Sequence, residues 1–523
     1  MDMSFPDGAV DWDGVLDSVR PLIEDFLSAQ RDPESFPVST DDSTLLARMK
    51  AAAPMPLSGG QLPDILAELR DTVVEHGYCN GSHPQYFGYL HPRPLPAAVL
   101  GDALTALLNQ SPAAWRMGAA ATALEREALC WLADFTGYPR DRSPGALPGI
   151  FTSGGTTANL AALKLARDSV LGRRVQEEGL SVAWPRLTVY ASCESHFSIP
   201  RALDTLGLGR TALRTVPLDG QGRASAPALR TMVATDLAAG YLPLCVVGIA
   251  GTSSTGAVDP LEELATVARH YGMWFHVDGA AGAVFADLPA TRAAFAGMDL
   301  ADSLTIDPHK WLFMPYGIGC LLVRESTRLG ESFRGAAHYW QDEQAPDSLF
   351  LSPEGSRPWK SLGLWLAMRH LGKQGYTALL QHNLEVARHL ADHLQARDGF
   401  ELLQEPTCPV CCFRVLPGQA DMDVNRFNEC LQQLLLEGGQ HYVTVCRPGG
   451  GDTVYLRASI NNYSTRPHHV QALLAALDQA RPLAAQRIST EQDTGTRPTT
   501  AQPPAGTRKV HSEDAHQPTV IGR

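Results

Sequence analysis

Five short apolar runs rich in β-branched residues punctuate the middle of this 523-residue chain: LTVYAS (187–192), LCVVGIAG (244–251), WFHVDGA (274–280), DSLTID (302–307) and CLLVR (320–324). They lack the polar/apolar alternation of a strand with one wet face, so they read as strands buried on both sides. Between them lie stretches such as PLEELATVARHY (260–271), whose apolar residues recur at helical spacing. Strands alternating with helices predict an α/β fold on a mainly parallel sheet, with helices covering both faces. Ligands of such sheets bind at the carboxyl ends of the strands.

The rest of the chain divides around this block. Residues 1–96 read as a helical segment, with helices over 11–30, 41–50 and 62–75 separated by the Pro/Gly-rich APMPLSGGQLP. None of these helical faces is self-sufficient, so they are expected to pack on the remaining chain or on a partner subunit. Residues 97–375 form the large α/β domain. After the amphipathic stretch ALLQHNLEVARHLADHLQAR (378–397), shorter strands in CCFRVLP and TVYLRASI suggest a smaller α/β domain over 376–481. From 482 to 523 the chain is rich in Thr, Pro, Gln and charge, which predicts a disordered tail.

Composition narrows the function. A formal net charge of −13 argues against a nucleic-acid-binding surface. No long apolar run suggests a membrane span. The acidic opening MDMSFPDGAVDWDGVL lacks the apolar core of a secretory signal. Ten cysteines are too sparse for a disulfide scaffold, so the expected location is the reducing cytoplasm. CPVCC (408–412) has no second cysteine pair or histidine at ligand spacing; it reads as buried strand, and no metal site is expected.

Four features with chemical potential fall at strand ends. FTSGGTTANLAALKLAR (151–167) places Ser153, Gly154, Gly155, Thr156 and Thr157 where a helix begins, an arrangement of backbone N–H groups suited to phosphate. Asp278 closes an otherwise apolar strand, and a buried carboxylate needs a cation or donors to stay ionised. His196 follows the strand at 187–192. Lys310, in DPHKWLFMPYGIG, precedes Trp311, Leu312, Phe313 and Met314. Burial lowers the pKa of a lysine and leaves a nucleophilic amine. Read singly, each has an ordinary structural explanation: a helix start, a turn cap, a core histidine, a lysine whose tip reaches water. Together they match the needs of pyridoxal phosphate, which takes a Schiff-base lysine, a carboxylate for its ring nitrogen, a phosphate cradle and a flat group against its ring.

The motifs SHPQYFGYLHP, WRMGAAATALEREALCWLADFTGYP, FTSGGTTANLAAL, SHFSIPRA, GTSSTGAVDP, HVDGAAG and DPHKWL follow one another in one order between residues 82 and 312, and the similarity that rests on them covers roughly residues 60 to 480. In this the chain resembles the pyridoxal-phosphate-dependent group II amino-acid decarboxylases, the family of aromatic amino acid, glutamate and diaminobutyrate decarboxylases. The resemblance implies a fold type I architecture: a large domain with a seven-stranded-type sheet, a smaller C-terminal α/β domain and an N-terminal helical segment that intertwines in a homodimer. It implies that Lys310 forms the Schiff base, Asp278 keeps the ring nitrogen protonated and His196 stacks on the ring. Gly155 and Thr156 would contact the phosphate with Ser153 and Asp307 nearby, and Thr252 would approach the phenolic oxygen. His309 would handle a proton or touch the phosphate. Tyr86 and Phe87 match substrate-pocket aromatics, and Arg357 matches an arginine near the site. The implied reaction converts an L-amino acid, aromatic side chains favoured, into its amine and CO₂.

One stretch departs from the family. In aromatic-type members, a mobile loop supplies a tyrosine that protonates Cα. Here the corresponding HYWQDEQAPDSLFLSPEGSRPWKSLGLW has Tyr339 at its start and Phe350 nearer the expected hydroxyl. Relatives with phenylalanine there shift toward oxidative deamination, so an aldehyde synthase is the alternative outcome, with another lyase or an aminotransferase behind it. Ala281 and the MPYGIG segment also alter the pocket. A catalytically silent scaffold does not explain why Lys310, Asp278 and His196 all remain.

Overall fold

The computed structural model describes residues 12–29, 54–75, 80–143, 146–181, 184–335 and 347–494. Twelve strands are found among them. They are β1 (Tyr86–Phe87), β2 (Gly149–Thr152), β3 (Leu187–Ser192), β4 (Leu213–Val216), β5 (Leu242–Ile249), β6 (Trp274–Asp278), β7 (Ser303–Ile306), β8 (Gly319–Val323), β9 (Phe400–Leu402), β10 (Val410–Val415), β11 (Tyr442–Cys446) and β12 (Tyr455–Ser459). Seven of them form the large sheet, in the order β2-β8-β7-β6-β5-β3-β4. β4, β3, β5, β6 and β7 run parallel, and β8 runs antiparallel between β7 and β2. The five runs anticipated from sequence are the centre of this sheet. β2 and β4 were not anticipated: each has four residues, and the half-buried β4 lies on the edge, so neither leaves a strong pattern.

Register decides where the site lies. Ile249 of β5 pairs with Asp278 of β6, which pairs with Thr305 of β7, so three parallel strands end in one row. Helix Gly155–Leu171 follows β2 and packs across the sheet, so its N-terminus opens at the same edge.

The second sheet has the order β1-β11-β12-β10-β9 and its own apolar core. Its first strand comes from the N-terminal region, because β1 lies parallel to β11. This stitches residues 86–87 into the C-terminal domain, across the boundaries expected from sequence. Cys411 and Cys412 lie buried in β10, and Cys408 is buried just before it. The long helix Ser361–Gln395 runs through the expected domain boundary and breaks direction at Gly372, where φ is 62°. Helices Trp12–Ala29 and Leu62–Leu69 stand where helices were expected, and the helix expected over 41–50 lies outside the described residues. Among the described residues, no helix is long and apolar enough to cross a membrane.

The tail differs from expectation in its first part. Helix Pro467–Thr494 continues past residue 482, with Ala484 and Ile488 buried in the second core. Two apolar residues four apart make one helical face, and Arg426 and Arg487 pair with Glu491 and Glu437 beside it. Composition averaged over the tail hides that face. Residues 495–523 lie outside the described residues.

Arg357 proves to be a structural clamp. Its guanidinium grips both oxygens of Glu125 on helix Ala119–Thr136, one of them at 2.7 Å, and reaches Ser348 Oγ at 3.3 Å. Glu125 also accepts from Ser361 Oγ at 3.2 Å, where the long helix starts. Both partners of the pair are buried, with side-chain exposures of 9% and 4%. Removing one member of such a pair strands the other charge. Arg357→Ala is therefore expected to lower unfolding free energy by about 3–5 kcal/mol, measured by denaturant titration. An unchanged transition midpoint would refute the clamp.

Candidate active site

A cavity of about 340 Å³ opens at the carboxyl edge of the large sheet. The Ser153–Thr157 turn, His196, Asp278, Asp307, His309 and Lys310 all line it. These residues come from four separate strand ends, which the parallel register brings together.

Lys310 hangs from a turn whose apolar half anchors it. Its N–H bonds to the Asp307 carbonyl at 2.9 Å, and Trp311, Leu312, Phe313 and Met314 are all buried. Trp311 Nε1 donates to the Ile460 carbonyl at 3.1 Å, and Tyr376 Oη donates to the Leu312 carbonyl at 3.2 Å. Phe313 closes the turn with φ 58°, a left-handed conformation that an L residue holds only when its surroundings enforce it. So the apolar neighbours do not surround the amine; they fix its stem. Lys310 Nζ instead meets Asp307 Oδ2 at 3.0 Å, with 16% side-chain exposure.

Two buried carboxylates, Asp278 and Asp307, face this space, and the half-buried Glu194 also lines it. Asp278 Oδ2 accepts from Asn159 Nδ2 at 2.9 Å, and Oδ1 accepts from the Ala280 N–H at 3.2 Å. Asp307 Oδ1 is buried with no hydrogen-bond partner. The nearby N-terminus of helix Gly155–Leu171 favours negative charge.

The two histidines present different ring atoms. His309 Nδ1 lies 2.7 Å from the Ile318 carbonyl, which only accepts, so Nδ1 carries the proton and Nε2 keeps its lone pair. Burial lowers the pKa of His309, while Asp307 pulls it up. His196 Nδ1 meets Ser198 Oγ at 2.8 Å and the Ser198 N–H at 3.3 Å, so it acts as an acceptor. Burial lowers the pKa of His196 too, with Asp278 opposing. In its neutral form the proton therefore sits on Nε2. One ring offers a donor and the other an acceptor.

The residues fit pyridoxal phosphate. The first amides of helix Gly155–Leu171, at Gly155 and Thr156, have no carbonyl one turn back and make an anion cradle. A Cβ at 155 would stand 2.8 Å from Asp307 Oδ2 and push that carboxylate aside, so glycine lets the helix start approach it closely. The unsatisfied Asp307 Oδ1 marks a wall that still has bonding capacity. Lys310 supplies the amine, Asp278 a carboxylate suited to a ring nitrogen, and His196 a flat face.

Among the described residues, the others given a site role from sequence do not line the cavity. Thr252 is buried behind its wall, its hydroxyl bonded to Thr255 Oγ1 at 2.8 Å and to the Ala257 N–H at 3.2 Å; the neighbouring Ser253 lines the space instead. Tyr86 packs on His91 and Tyr442, and Phe87 belongs to the second core. Phe350 ends the short turn Ser348–Phe350, Arg357 is committed to Glu125, and Tyr339 lies outside the described residues. Sequence reasoning passed over Asn159, Glu194 and Phe197, which line the cavity. Asn159 sits inside TTANL, four residues after Gly155, where a polar residue within an apolar helix face was the available signal.

Known proteins resemble this chain in sequence and fold. The chain is 31% identical over 410 residues to an aromatic-L-amino-acid decarboxylase of Bacillus atrophaeus, covering 77% of this chain and 82% of that one. It is 32% identical over 381 residues to an aspartate 1-decarboxylase of Aliivibrio fischeri, covering 69% of each. Its fold matches the crystal structure of Oryza sativa TDC with PLP and tryptamine at a TM-score of 0.82 and 25% identity, over 90% of this chain and 98% of that one. The pyridoxal-dependent decarboxylase conserved domain matches residues 45–416, and the chain thus belongs to the pyridoxal-phosphate-dependent amino-acid decarboxylases, enzymes of fold type I.

Proposed function

We propose that this enzyme decarboxylates an L-amino acid with an aromatic side chain, releasing CO₂ and the amine, and that it works as a homodimer. The observation carrying the reading is the convergence of Lys310, Asp278, His196 and the Gly155 helix start on one cavity. Bound pyridoxal phosphate supplies an aldehyde that captures an amino group and a protonated ring that accepts the electron pair left by departing CO₂. Lys310 Nζ is the amine that would hold the aldehyde between turnovers, with Asp307 orienting it. Asp278 would hold a proton on the ring nitrogen, its own carboxylate fixed by Asn159 and the Ala280 N–H. The amides of Gly155 and Thr156, with the hydroxyl of Ser153, would hold the phosphate. His196 Nε2–H can donate to a substrate carboxylate, and His309 Nε2 can accept a proton.

An aromatic substrate suits the rings at this site. Phe197 lines the cavity and is largely exposed, its ring 4.0 Å from that of His196. Tyr316 is also exposed, 5.2 Å from the His309 ring. An aromatic side chain packed among them would remove apolar surface from water and gain edge or stacked ring contacts. The Bacillus atrophaeus relative supports the same class, and the Aliivibrio fischeri relative supplies the competing acidic one.

The dimer accounts for an exposed apolar face. Val99, Leu100, Leu107 and Leu108 of helix Pro96–Leu108 are exposed, as are nearby Trp115 and Met117. Isolated exposed apolar residues are ordinary, but a contiguous set marks an interface.

Three outcomes check this reading. Purified wild type with added cofactor should absorb visible light and fix the cofactor on borohydride reduction, and Lys310→Ala should abolish the fixation; a wild type that fixes none sinks the role of Lys310. Offered a panel of amino acids, the enzyme should release CO₂ and amine fastest from aromatic substrates. A preference for aspartate would overturn the substrate class, and hydrogen peroxide with ammonia and an aldehyde would replace decarboxylation by the oxidative route. Sedimentation should give a dimer that Leu100→Glu together with Leu107→Glu converts to monomer; a monomeric wild type would exclude the interface.

A further inference from the structure

Asn159 is 1% exposed, and every hydrogen-bonding position of its amide is filled. Nδ2 donates to Asp278 Oδ2 at 2.9 Å and to Ser198 Oγ at 2.9 Å. Oδ1 accepts from Thr305 Oγ1 at 2.7 Å and meets His276 Nε2 at 3.1 Å. Two donors and two lone pairs exhaust an amide. Its orientation is dictated, because a flipped amide would set an oxygen against the Asp278 carboxylate, acceptor against acceptor.

The surrounding protons then fall into one order. With Asn159 in this orientation His276 Nε2 donates to its Oδ1, and His276 Nδ1 accepts from Ser303 Oγ at 2.9 Å beside the Ser303 carbonyl at 3.2 Å. Ser303 Oγ accepts in turn from Trp274 Nε1 at 2.9 Å. Burial pushes the pKa of His276 down to about 4, which keeps this ring neutral and the order intact near neutral pH. On the other branch, Ser198 Oγ receives the Asn159 proton and passes its own to His196 Nδ1 at 2.8 Å. The Ser198 N–H donates to the same atom at 3.3 Å, and together the two donors leave the His196 proton on Nε2. Asn159, His276, Ser198, Ser303 and Thr305 are all buried, so a broken link is not repaired by water.

We propose that Asn159 is a positioning residue for the reaction: its amide holds the Asp278 carboxylate and, through Ser198, the His196 ring in a single hydrogen-bond order. The inference rests on the roles proposed above for Asp278 and His196. Neither group sits on the helix that carries Asn159; one ends β6 and the other follows β3, so this side chain couples two strands to the helix of the phosphate cradle.

The full-length protein with Asn159→Ser and, separately, Thr305→Val tests this. Asn159→Ser is expected to lower kcat about 10- to 100-fold with KM within about threefold, the size of effect misplacement alone produces. It should also change the visible absorbance of the bound cofactor. Thr305→Val removes one donor to the Asn159 oxygen and leaves Asp278 and His196 unaltered; the loss in kcat should be about two- to fivefold. In ¹⁵N-histidine spectra of the cofactor-free protein, His196→Gln identifies the His196 signal by its disappearance. Wild type should show His196 as one Nε2–H tautomer, held by the Ser198 N–H and hydroxyl together, and Asn159→Ser should shift or broaden the His196 ring signals as the Ser198 hydroxyl loses its own donor. Wild-type kcat with an unchanged His196 signal in Asn159→Ser overturns the proposal. If Asn159→Ser does not fold, Thr305→Val decides in the same way, and unchanged kcat with an unchanged signal overturns it. The tautomer is read without substrate. A protein with the expected His196 signals that releases CO₂ from no amino acid would refute the decarboxylation reading and leave the positioning role standing.

Discussion

Two buried carboxylates set the conditions for this fold's working edge. Asp278 ends β6 with 6% exposure, and Asp307 follows the adjacent β7 with 5%. Like charges so close, and so far from water, are unfavourable unless each is matched locally. The chain resolves this in two ways. Asp307 takes the Lys310 ammonium at 3.0 Å and faces the positive end of helix Gly155–Leu171. Asp278 takes a side-chain amide and a backbone N–H, neutral donors that leave its charge uncancelled. One carboxylate is thus occupied by the protein's own cation, and the other is held ready for an outside one.

That division shapes the cavity. A pyridinium nitrogen is the kind of cation that an oriented, uncompensated carboxylate recognises, and a phosphate is what an uncapped helix start recognises. Both recognition elements occur at one edge because β5, β6 and β7 are parallel and in register there. The second domain takes part through the lysine turn, where Trp311 reaches the Ile460 carbonyl and Phe313 is held in a left-handed conformation. The position of the Lys310 amine therefore depends on contacts with residues about 150 positions later in the chain, a separation of 149 for Trp311 and Ile460.

The legible part of the site was its charged and conformationally unusual residues. Lys310 among bulky apolar residues, Asp278 at the end of an apolar strand and the double glycine before a helix each break a local rule, and such breaks can be read in one dimension. Asn159 breaks no rule: an asparagine within a helix is ordinary until its four partners, drawn from β6, β7 and the segment after β3, are seen around it. Arg357 shows the reverse error. The family resemblance put it near the site, yet its charge is spent on Glu125, more than two hundred residues earlier. The helix across 482–494 was hidden for a third reason, since a two-residue apolar face is invisible in an average over a polar segment.

By itself the sequence determined the fold class, the strands at the centre of the large sheet and the candidates for the amine, the carboxylate and the phosphate turn. These follow from local composition and spacing, which act along the chain. Tertiary structure alone decided that Lys310 pairs with Asp307 and not with Asp278, that Thr252 lies behind the wall while Ser253 lines the cavity, and that His196 and His309 offer opposite ring atoms. The physical reason is that a hydrogen bond or ion pair is set by distance and direction. Residues far apart in sequence acquire those only when strand register, helix placement and the buried apolar turn put them in the same small volume.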